Sequence, residues 1–237
     1  MDFLKGNIRS MYGKYLTAAF GSALIGCIYA MVDTAVVGQY QGPQGTAALA
    51  VVAPCWNLIY SLGLLLGAGG GVIFSTCRGG GTGDGSENQY FTASVIGAAV
   101  LAVLTWHGIW CFETPVLTFF GADAELLPLA QTYLKPVKFV FPLFLVNEML
   151  MFFLQTDGNP GRATLAILSG GIFNIFGDIF LVFGCNMGIF GAGLATAIGA
   201  AISTCVMLTH FLSRKNTLCL VKPTHLLHRL REVFATG

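Results

Sequence analysis

The chain has 237 residues, of which 55% are hydrophobic and 10% are charged, and its net charge is +1. Its mean hydropathy is +0.73. About a quarter of the residues of a soluble domain are charged, so this composition excludes a water-soluble domain and indicates an integral membrane protein. The balanced charge argues against a nucleic-acid partner. The absence of a nucleophile–base pair and of metal-ligand spacing argues against an enzyme and against a bound cofactor.

Apolar runs long enough to cross a hydrocarbon core of about 30 Å recur along the whole chain. No small-residue cleavage site follows the first run, so we interpret it as an uncleaved span. The predicted spans are residues 15–37, 46–74, 89–110, 128–154, 164–183 and 191–212. The expected organisation is an all-α lobe of six transmembrane helices over residues 1–213, with a basic tail or linker over 214–237.

The first two spans carry one carboxylate and a row of glycines. Asp33 lies near the end of the first span, and its apolar flanks leave open whether it contacts water or lies inside the membrane. Pro54 is the expected bend of the second span, because it removes a backbone donor. Gly63, Gly67 and Gly71 recur every four residues, which predicts close approach of a neighbouring helix.

The middle of the chain holds one further candidate carboxylate and two lysines. Residues 78–88 are glycine-rich but lack the lysine and hydroxyl of a phosphate-binding loop, so they predict a flexible connection. In the fourth span we expect Lys135 and Lys138 to extend toward the membrane interface. Asn147 and Glu148 lie deeper. Glu148 is a secondary candidate for an intramembrane site, unless it pairs with a lysine of a neighbouring helix.

The fifth span places Asn174 and Asp178 near its middle. At a spacing of four residues the two side chains project from one helical face. An ionised carboxylate at the bilayer centre costs roughly 2.5–3.5 kcal/mol on insertion scales, so such a group usually has a partner, a proton or a cation. One interpretation is an Asn–Asp pair that only holds helices together. The other is a cation or proton site inside the bundle.

The end of the chain changes from small apolar residues to basic ones. Residues 191–197 are nearly all small and predict tight packing against the fifth span. Thr196, within them, is a hydroxyl that usually bonds to its own helix. Residues 224–234 can form an amphipathic helix on the membrane surface, or can belong to a solvated tail. The seven scattered cysteines form no Cys-x-x-Cys pair, so we interpret them as small helix-packing residues, with no metal site implied.

The basic residues of the connections predict the orientation. With six spans, the basic residues before the first span, in two of the connections and in the tail all fall on one side, whereas the opposite connections carry none unless Lys135 is counted. The positive-inside rule then predicts that both termini are cytoplasmic, in the cell (inner or plasma) membrane. The residues on that side are Lys5, Arg9, Lys14, Arg78, Arg162, Arg214, Lys215, Lys222, Arg229 and Arg231.

Taken in order, these features resemble the multidrug and toxic compound extrusion (MATE) family of secondary transporters, and specifically its amino-terminal half. Each matching segment is unspecific, but together they cover nearly the whole chain. The segments that resemble the family are Asp33 with residues 36–38, residues 48–50 with Pro54, and residues 78–84, 157–160, 174–183 and 187–196.

The resemblance implies two six-helix lobes related by an axis along the membrane normal, with alternating access to a central cavity. It also implies export of cationic or amphipathic organic compounds (drugs, toxins or metabolites) in exchange for Na⁺ or H⁺. Carried over by motif, the coupling site comprises Asp33, Asn174, Asp178 and Thr196. Asn147 and Glu148, which their depth in the fourth span indicates without the resemblance, are secondary candidates. Carboxylate, amide and hydroxyl oxygens suit Na⁺, and a desolvated carboxylate suits a proton, so the coupling ion stays open.

Two departures from the family pattern concern the first helix and the length. Many relatives bend the first helix at a proline, whereas this one carries only Gly21 and Gly26. The second lobe is absent, so we expect a covering partner beside membrane lipid and a small-molecule substrate. That partner is either a carboxy-terminal lobe or a second copy of the chain. We favour the first, because the tail resembles a linker between lobes.

Two other functions are compatible with polar groups buried in a membrane bundle. One is a membrane scaffold or assembly subunit with purely structural buried polar groups. The other is a lipid-linked oligosaccharide flippase of the wider superfamily. Such flippases tend to line their cavity with several arginines, whereas here the basic residues within the spans are Lys135 and Lys138.

Overall fold

The structure, a computed structural model, describes residues 8–80 and 85–237. These described residues form α-helices and no strands. Six of the helices are long and apolar enough to cross a membrane. The helices are α1 (Ile8–Gln41), α2 (Pro43–Gly79), α3 (Glu87–Phe119), α4 (Leu126–Thr156), α5 (Pro160–Ile179), α6 (Gly188–Leu208) and α7 (Leu226–Thr236). The predicted all-α fold with six membrane-spanning helices is confirmed.

Short connections make successive helices antiparallel. Only Gly42 separates α1 from α2, and it adopts a φ of 72°, a left-handed conformation that glycine accepts without steric cost. Pro43 then occupies the first position of α2, where its missing N–H is not needed. The α4–α5 connection is similarly tight, with Gly158 at a φ of 79° and Pro160 beginning α5.

The predicted glycine row of α2 packs against α4. A Cβ added at Gly63 would lie 2.7 Å from the carbonyl oxygen of Leu145, and one at Gly67 would lie 3.0 Å from the Cα of Met149. Side chains at these positions would force the helices apart, so the expected close approach is confirmed. α2 continues through Pro54 without ending.

The third helix extends beyond its expected end at residue 110. The extension carries a carboxylate that pairs with Lys138, which was expected to extend toward the membrane interface. α3 continues to Phe119, with a non-helical residue at Phe112, three positions before Pro115. This extension places Glu113 beside α4, where Lys138 Nζ donates to Glu113 Oε2 at 2.8 Å. Lys138 is therefore buried, with 9% exposure, and its charge is paired within the bundle instead of extending out of it. Lys135 is exposed.

A contact from α3 supplies a hydrogen bond that α4 lacks at Pro142. Pro142 has no N–H, so the carbonyl of Lys138 lacks the donor that residue 142 would normally supply. Trp106 of α3 fills this gap, since its Nε1 donates to the Lys138 carbonyl at 2.8 Å.

The helix ends that carry Arg78, Arg162 and Arg214 lie at one end of the bundle, called here the basic end. At this end the fully buried carboxylate of Asp157 joins three segments. It accepts from Arg78 Nη1 at 2.9 Å, pairs with His210 Nε2 at 2.7 Å and accepts from the backbone N–H of Thr217 at 3.1 Å. The basic residue Lys5 and loop residues 81–84 lie outside the described residues, and the side chain of Lys14 is not described.

The tail returns along the start of α3. Its backbone N–H groups are bound by α3 side chains, with Cys219 N donating to Asn88 Oδ1 at 2.9 Å and Val221 N to Thr92 Oγ1 at 3.0 Å. α7 then packs on α2 and α3 with Val233 fully buried. The predicted helix is confirmed over Leu226–Thr236 and packs on the bundle, which a solvated tail would not do. Its position on the membrane surface stays a prediction.

The cysteines are mostly not packing residues. Cys55 is buried and Cys77 half-buried, whereas the other described cysteines are exposed on the bundle. The packing interpretation holds for Cys55 and Cys77, which both pack in or against the hydrophobic core. The exposed cysteines are Cys27, Cys111, Cys185, Cys205 and Cys219.

Candidate functional site

Small residues of α6 bring α4 and α5 together around the predicted site. A Cβ at Gly199 would lie 2.8 Å from the carbonyl oxygen of Gly170 on α5, and one at Gly193 would lie 3.1 Å from the ring of Pro136 on α4. Because α6 approaches both helices so closely, Thr196 lies between α4 and α5.

A hydrogen-bond chain joins three of the four predicted site residues through a fourth side chain. Asn174 Nδ2 donates to Thr196 Oγ1 at 3.1 Å, and Thr196 Oγ1 lies 3.3 Å from the hydroxyl of Tyr133. The Tyr133 hydroxyl donates to Asp33 Oδ2 at 3.2 Å. Since Tyr133 has one proton and gives it to Asp33, Thr196 donates to Tyr133. The chain therefore runs in one direction, from Asn174 to the Asp33 carboxylate.

Asp178, the remaining predicted residue, lies one helical turn from Asn174 and is fully buried. Its carboxylate and that of Asp33 are close enough to interact electrostatically. Neither of its oxygens has a hydrogen-bond partner among the described residues, and the same holds for Asp33 Oδ1 and Asn174 Oδ1. Directly after Asp178 the helix widens into a π-helical turn over Phe180–Gly184, a local irregularity that is frequent at functional sites.

The four residues therefore occupy one region, although they do not line one cavity. Asp33, Tyr133 and Thr196 line a cavity between α1, α2, α4 and α6. Asn174 and Thr196 line a second, adjoining cavity, and Asp178 lines neither. A threonine in a helix usually bonds to the backbone of its own helix. The hydroxyl of Thr196 instead bonds to Asn174 and Tyr133.

The two secondary candidates have different environments. Asn147 is fully engaged, since its Nδ2 donates to the Ala200 carbonyl at 3.1 Å and its Oδ1 accepts from Thr204 Oγ1 at 2.8 Å. It ties α4 to α6. Glu148 lies on the wall of the second cavity, and the expected pairing with a lysine is not found among the described residues.

Sequence reasoning missed Tyr133, which connects the site. A tyrosine in the middle of an apolar span is a weak signal, because its hydroxyl usually needs a buried partner. The identity of that partner depends on residues 63 and 100 positions away.

Known proteins resemble this chain over most of its length. A family model described as MatE matches residues 18–180. The multidrug export protein MepA of Staphylococcus saprophyticus is 26% identical over 220 residues, which cover 91% of this chain and 48% of that protein. MepA of Staphylococcus aureus strain MSSA476 is 25% identical and is covered to the same 48%.

Solved structures show the same fold. The outward-facing conformation of a multidrug resistance MATE family transporter of the MOP superfamily superposes with a TM-score of 0.81 at 20% identity, covering 92% of this chain and 48% of that one. An inward-facing conformation of a transporter of the same description gives a TM-score of 0.79 at 21% identity, covering 88% and 48%. The chain spans about half the length of these relatives, as the predicted amino-terminal half requires. It is a multi-pass membrane protein that belongs to the MatE family of multidrug and toxic compound extrusion transporters.

Proposed function

We propose that this chain is one lobe of a secondary active antiporter that exports cationic or amphipathic organic compounds in exchange for Na⁺ or H⁺. In this proposal Asp33, Asn174, Asp178 and Thr196 form the ion-coupling site. The relatives named multidrug export proteins support the transport class, and the site geometry supports the role of these residues.

The main observation behind this proposal is a group of buried oxygens that accept no hydrogen bond. Both oxygens of Asp178, together with Asp33 Oδ1 and Asn174 Oδ1, are buried and have no hydrogen-bond partner among the described residues. A buried carboxylate without compensation is strongly unfavourable, so a proton or a cation is expected to bind there. Purely structural polar groups would instead satisfy one another, as Asn147 and Thr204 do.

The arrangement suits both candidate ions. Carboxylate, amide and hydroxyl oxygens are hard ligands of the kind that bind Na⁺, and a proton can be held by Asp178 and stabilised by the neighbouring Asp33 charge. In either case binding of the ion neutralises part of the charge between α1 and α5. Release of the ion restores the repulsion between Asp33 and Asp178, which can favour a different arrangement of those helices.

A second six-helix lobe is part of the proposal. The chain covers only 48% of the multidrug export protein MepA of Staphylococcus saprophyticus. We therefore expect a second lobe, or a second copy of this chain, to complete the transporter. By the positive-inside rule the basic end faces the cytoplasm, in the plasma (inner) membrane.

The test is gradient-driven transport. The transporter that contains this chain is reconstituted in vesicles, and movement of a fluorescent organic cation is measured with a Na⁺ gradient, with a pH gradient and with neither. We expect export with one of the gradients, and loss of that dependence in Asp178→Asn.

The matched control is Asp123→Asn, at an exposed aspartate in the α3–α4 connection. This variant should transport normally. Coupled export that persists in Asp178→Asn would remove Asp178 from the site. Export in neither gradient by the unmodified protein would favour a scaffold over an exporter.

A further inference from the structure

A narrow cavity leads from the candidate ion site toward the basic end of the bundle. It is the second cavity, which Asn174 and Thr196 line, and it measures about 90 Å³. Pockets for small organic ligands measure about 300–1,000 Å³, so this space suits a few water molecules and no drug-sized compound. The α6 residues on its wall run from Thr196 to Met207, a rise of about 16 Å toward the end of that helix.

Polar groups on the wall are suited to hold water in this cavity. Asn174 is 4% exposed, and its Oδ1 has no hydrogen-bond partner among the described residues. Thr196 and Ser203 contribute hydroxyl groups, and Glu148 contributes a carboxylate. A buried water typically makes about three hydrogen bonds to polar groups, so these side chains favour a water-filled cavity.

Glu148 is the acidic residue in the described lining of the cavity. No hydrogen bond or ion pair to its carboxylate is found among the described residues, and that lining contains no Lys, Arg or His. The other titratable side chains in it are Tyr29 of α1 and Tyr60 of α2, whose hydroxyls lie 3.4 Å apart, and α5 and α6 contribute none. Unpaired carboxylates within membrane spans commonly belong to proton relays.

Hydroxyl groups connect Asp33 with this cavity. Asp33 and Tyr133 line only the neighbouring cavity, whereas Thr196 lines both. The Tyr133 hydroxyl lies 3.2 Å from Asp33 Oδ2 and 3.3 Å from Thr196 Oγ1. A hydroxyl can accept one proton while it gives up another, so a protonated Asp33 can pass its proton along this chain to water beside Thr196.

From this geometry we propose that Glu148 is the proton-release group on the side of the basic end. The proton of Asp33 moves to Tyr133, which gives its own proton to Thr196. Thr196 in turn gives a proton to water in the cavity, and this water protonates the carboxylate of Glu148. Glu148 then releases the proton to water at the basic end, so the net change is the transfer of one proton from Asp33 to that water. The inference rests on the proposed function and selects H⁺ as the coupling ion.

The experiment measures proton movement that is coupled to an organic cation. The transporter that contains this chain is reconstituted in vesicles with a trapped pH-sensitive dye, and a concentration gradient of ethidium drives proton movement. We expect Glu148→Gln to lower the maximal rate of proton movement about tenfold or more, and to leave the ethidium concentration at half-maximal rate unchanged. The rate of this variant should also fall more in D₂O than that of the unmodified protein, because proton release then limits the rate.

Two further variants separate proton release from a structural role. Glu148→Asp, which keeps a carboxylate, should recover most of the rate. Glu125→Gln, at an exposed glutamate in the connection before α4, is the matched control and should move protons normally. An unchanged maximal rate in Glu148→Gln would overturn the inference. A lower rate with no added effect of D₂O, or no coupled proton movement in the unmodified protein, would overturn it as well.

Dependence of export on Asp178 decides the proposed function separately. If Na⁺-driven export depends on Asp178 and no proton movement accompanies it, the antiporter proposal stands and the role of Glu148 is wrong.

Discussion

The hydroxyl of Tyr133 donates a hydrogen bond of 3.2 Å to the carboxylate of Asp33, across 100 residues of sequence. The contact ties α4 to α1 and fixes one oxygen of Asp33, while the other oxygen has no partner among the described residues. A single hydroxyl thus determines how the first helix presents its carboxylate to the candidate ion site.

Tyr133→Phe should weaken ion binding without unfolding the protein. The substitution keeps the ring but removes a hydrogen bond to a charged group, worth about 1.5–3 kcal/mol, so the apparent affinity for the coupling ion should fall about tenfold or more. The measurement is the Na⁺ concentration, or the pH, at half-maximal export. Tyr12→Phe, at an exposed tyrosine near the start of α1, should change neither. An unaltered ion dependence in Tyr133→Phe would show that the contact is structural only.

Asp157→Asn should destabilise the basic end of the bundle. The carboxylate is buried and binds Arg78, His210 and Thr217, so removing its charge leaves two basic side chains without their partner. Arg78 is partly exposed and stays solvated, so the loss is that of hydrogen bonds to a buried charged group, about 1.5–3 kcal/mol each. Thermal unfolding in detergent should therefore show a clearly lower Tm.

The control for Asp157 is Asp123→Asn. Asp123 is exposed and accepts the N–H of Leu126 at the start of α4, and asparagine caps a helix about as well as aspartate. Its Tm should stay close to that of the unmodified protein. Equal melting of Asp157→Asn and the unmodified protein would contradict the role assigned to Asp157.

Lys138 and Glu113 should show strong coupling in a double-mutant cycle. Lys138→Met leaves the carboxylate of Glu113 buried without a cation and should lower the free energy of unfolding by about 3 kcal/mol or more. The double variant Lys138→Met/Glu113→Met removes both charges and should recover most of that loss. Lys135→Met, at the exposed lysine of the same helix, is the control. Additive effects of the two single substitutions would exclude the ion pair as a stabilising contact.

Gly199→Ala should separate α5 from α6 and damage the site. The added methyl group would lie 2.8 Å from the Gly170 carbonyl oxygen, a backbone atom that moves only with its helix. Overpacking of this kind costs about 1–3 kcal/mol, and a shift of α5 would also lengthen the Asn174–Thr196 hydrogen bond. Both the Tm and the ion dependence of export should change.

Gly161→Ala is the matched control for Gly199. A Cβ at Gly161 meets nothing within 4 Å, so the substitution should be neutral or slightly stabilising. If both alanine variants behave alike, the α5–α6 contact is less tight than the structure indicates.

Local patterns in the sequence were sufficient for the helices and for two site residues. The spans follow from hydropathy, and Asn174 and Asp178 stand out because a polar pair four residues apart is costly inside an apolar helix. The glycine row of α2 likewise predicts a close neighbour, although the pattern does not say that the neighbour is α4.

The contacts that the sequence did not predict join residues far apart in the chain. Tyr133 belongs to the site because α4, α1 and α6 meet at its hydroxyl, and no spacing in the sequence encodes that meeting. Hydropathy alone ends the third span before Glu113, so it gives Lys138 no partner in the bundle. The helix resumes after the kink at Phe112, and only this extension brings the carboxylate to the lysine.

The contact between Trp106 and the Lys138 carbonyl makes substitutions at positions 106 and 142 depend on each other. Pro142 creates the open carbonyl, and the indole N–H of Trp106 fills it. A change of Pro142 to another residue would supply a backbone donor and leave the indole competing for the same oxygen. Loss of Trp106 alone would leave that carbonyl unpaired within an apolar layer. A single substitution at either position therefore gives a less stable protein. Substitutions at positions 106 and 142 are expected to occur together among descendants of this sequence.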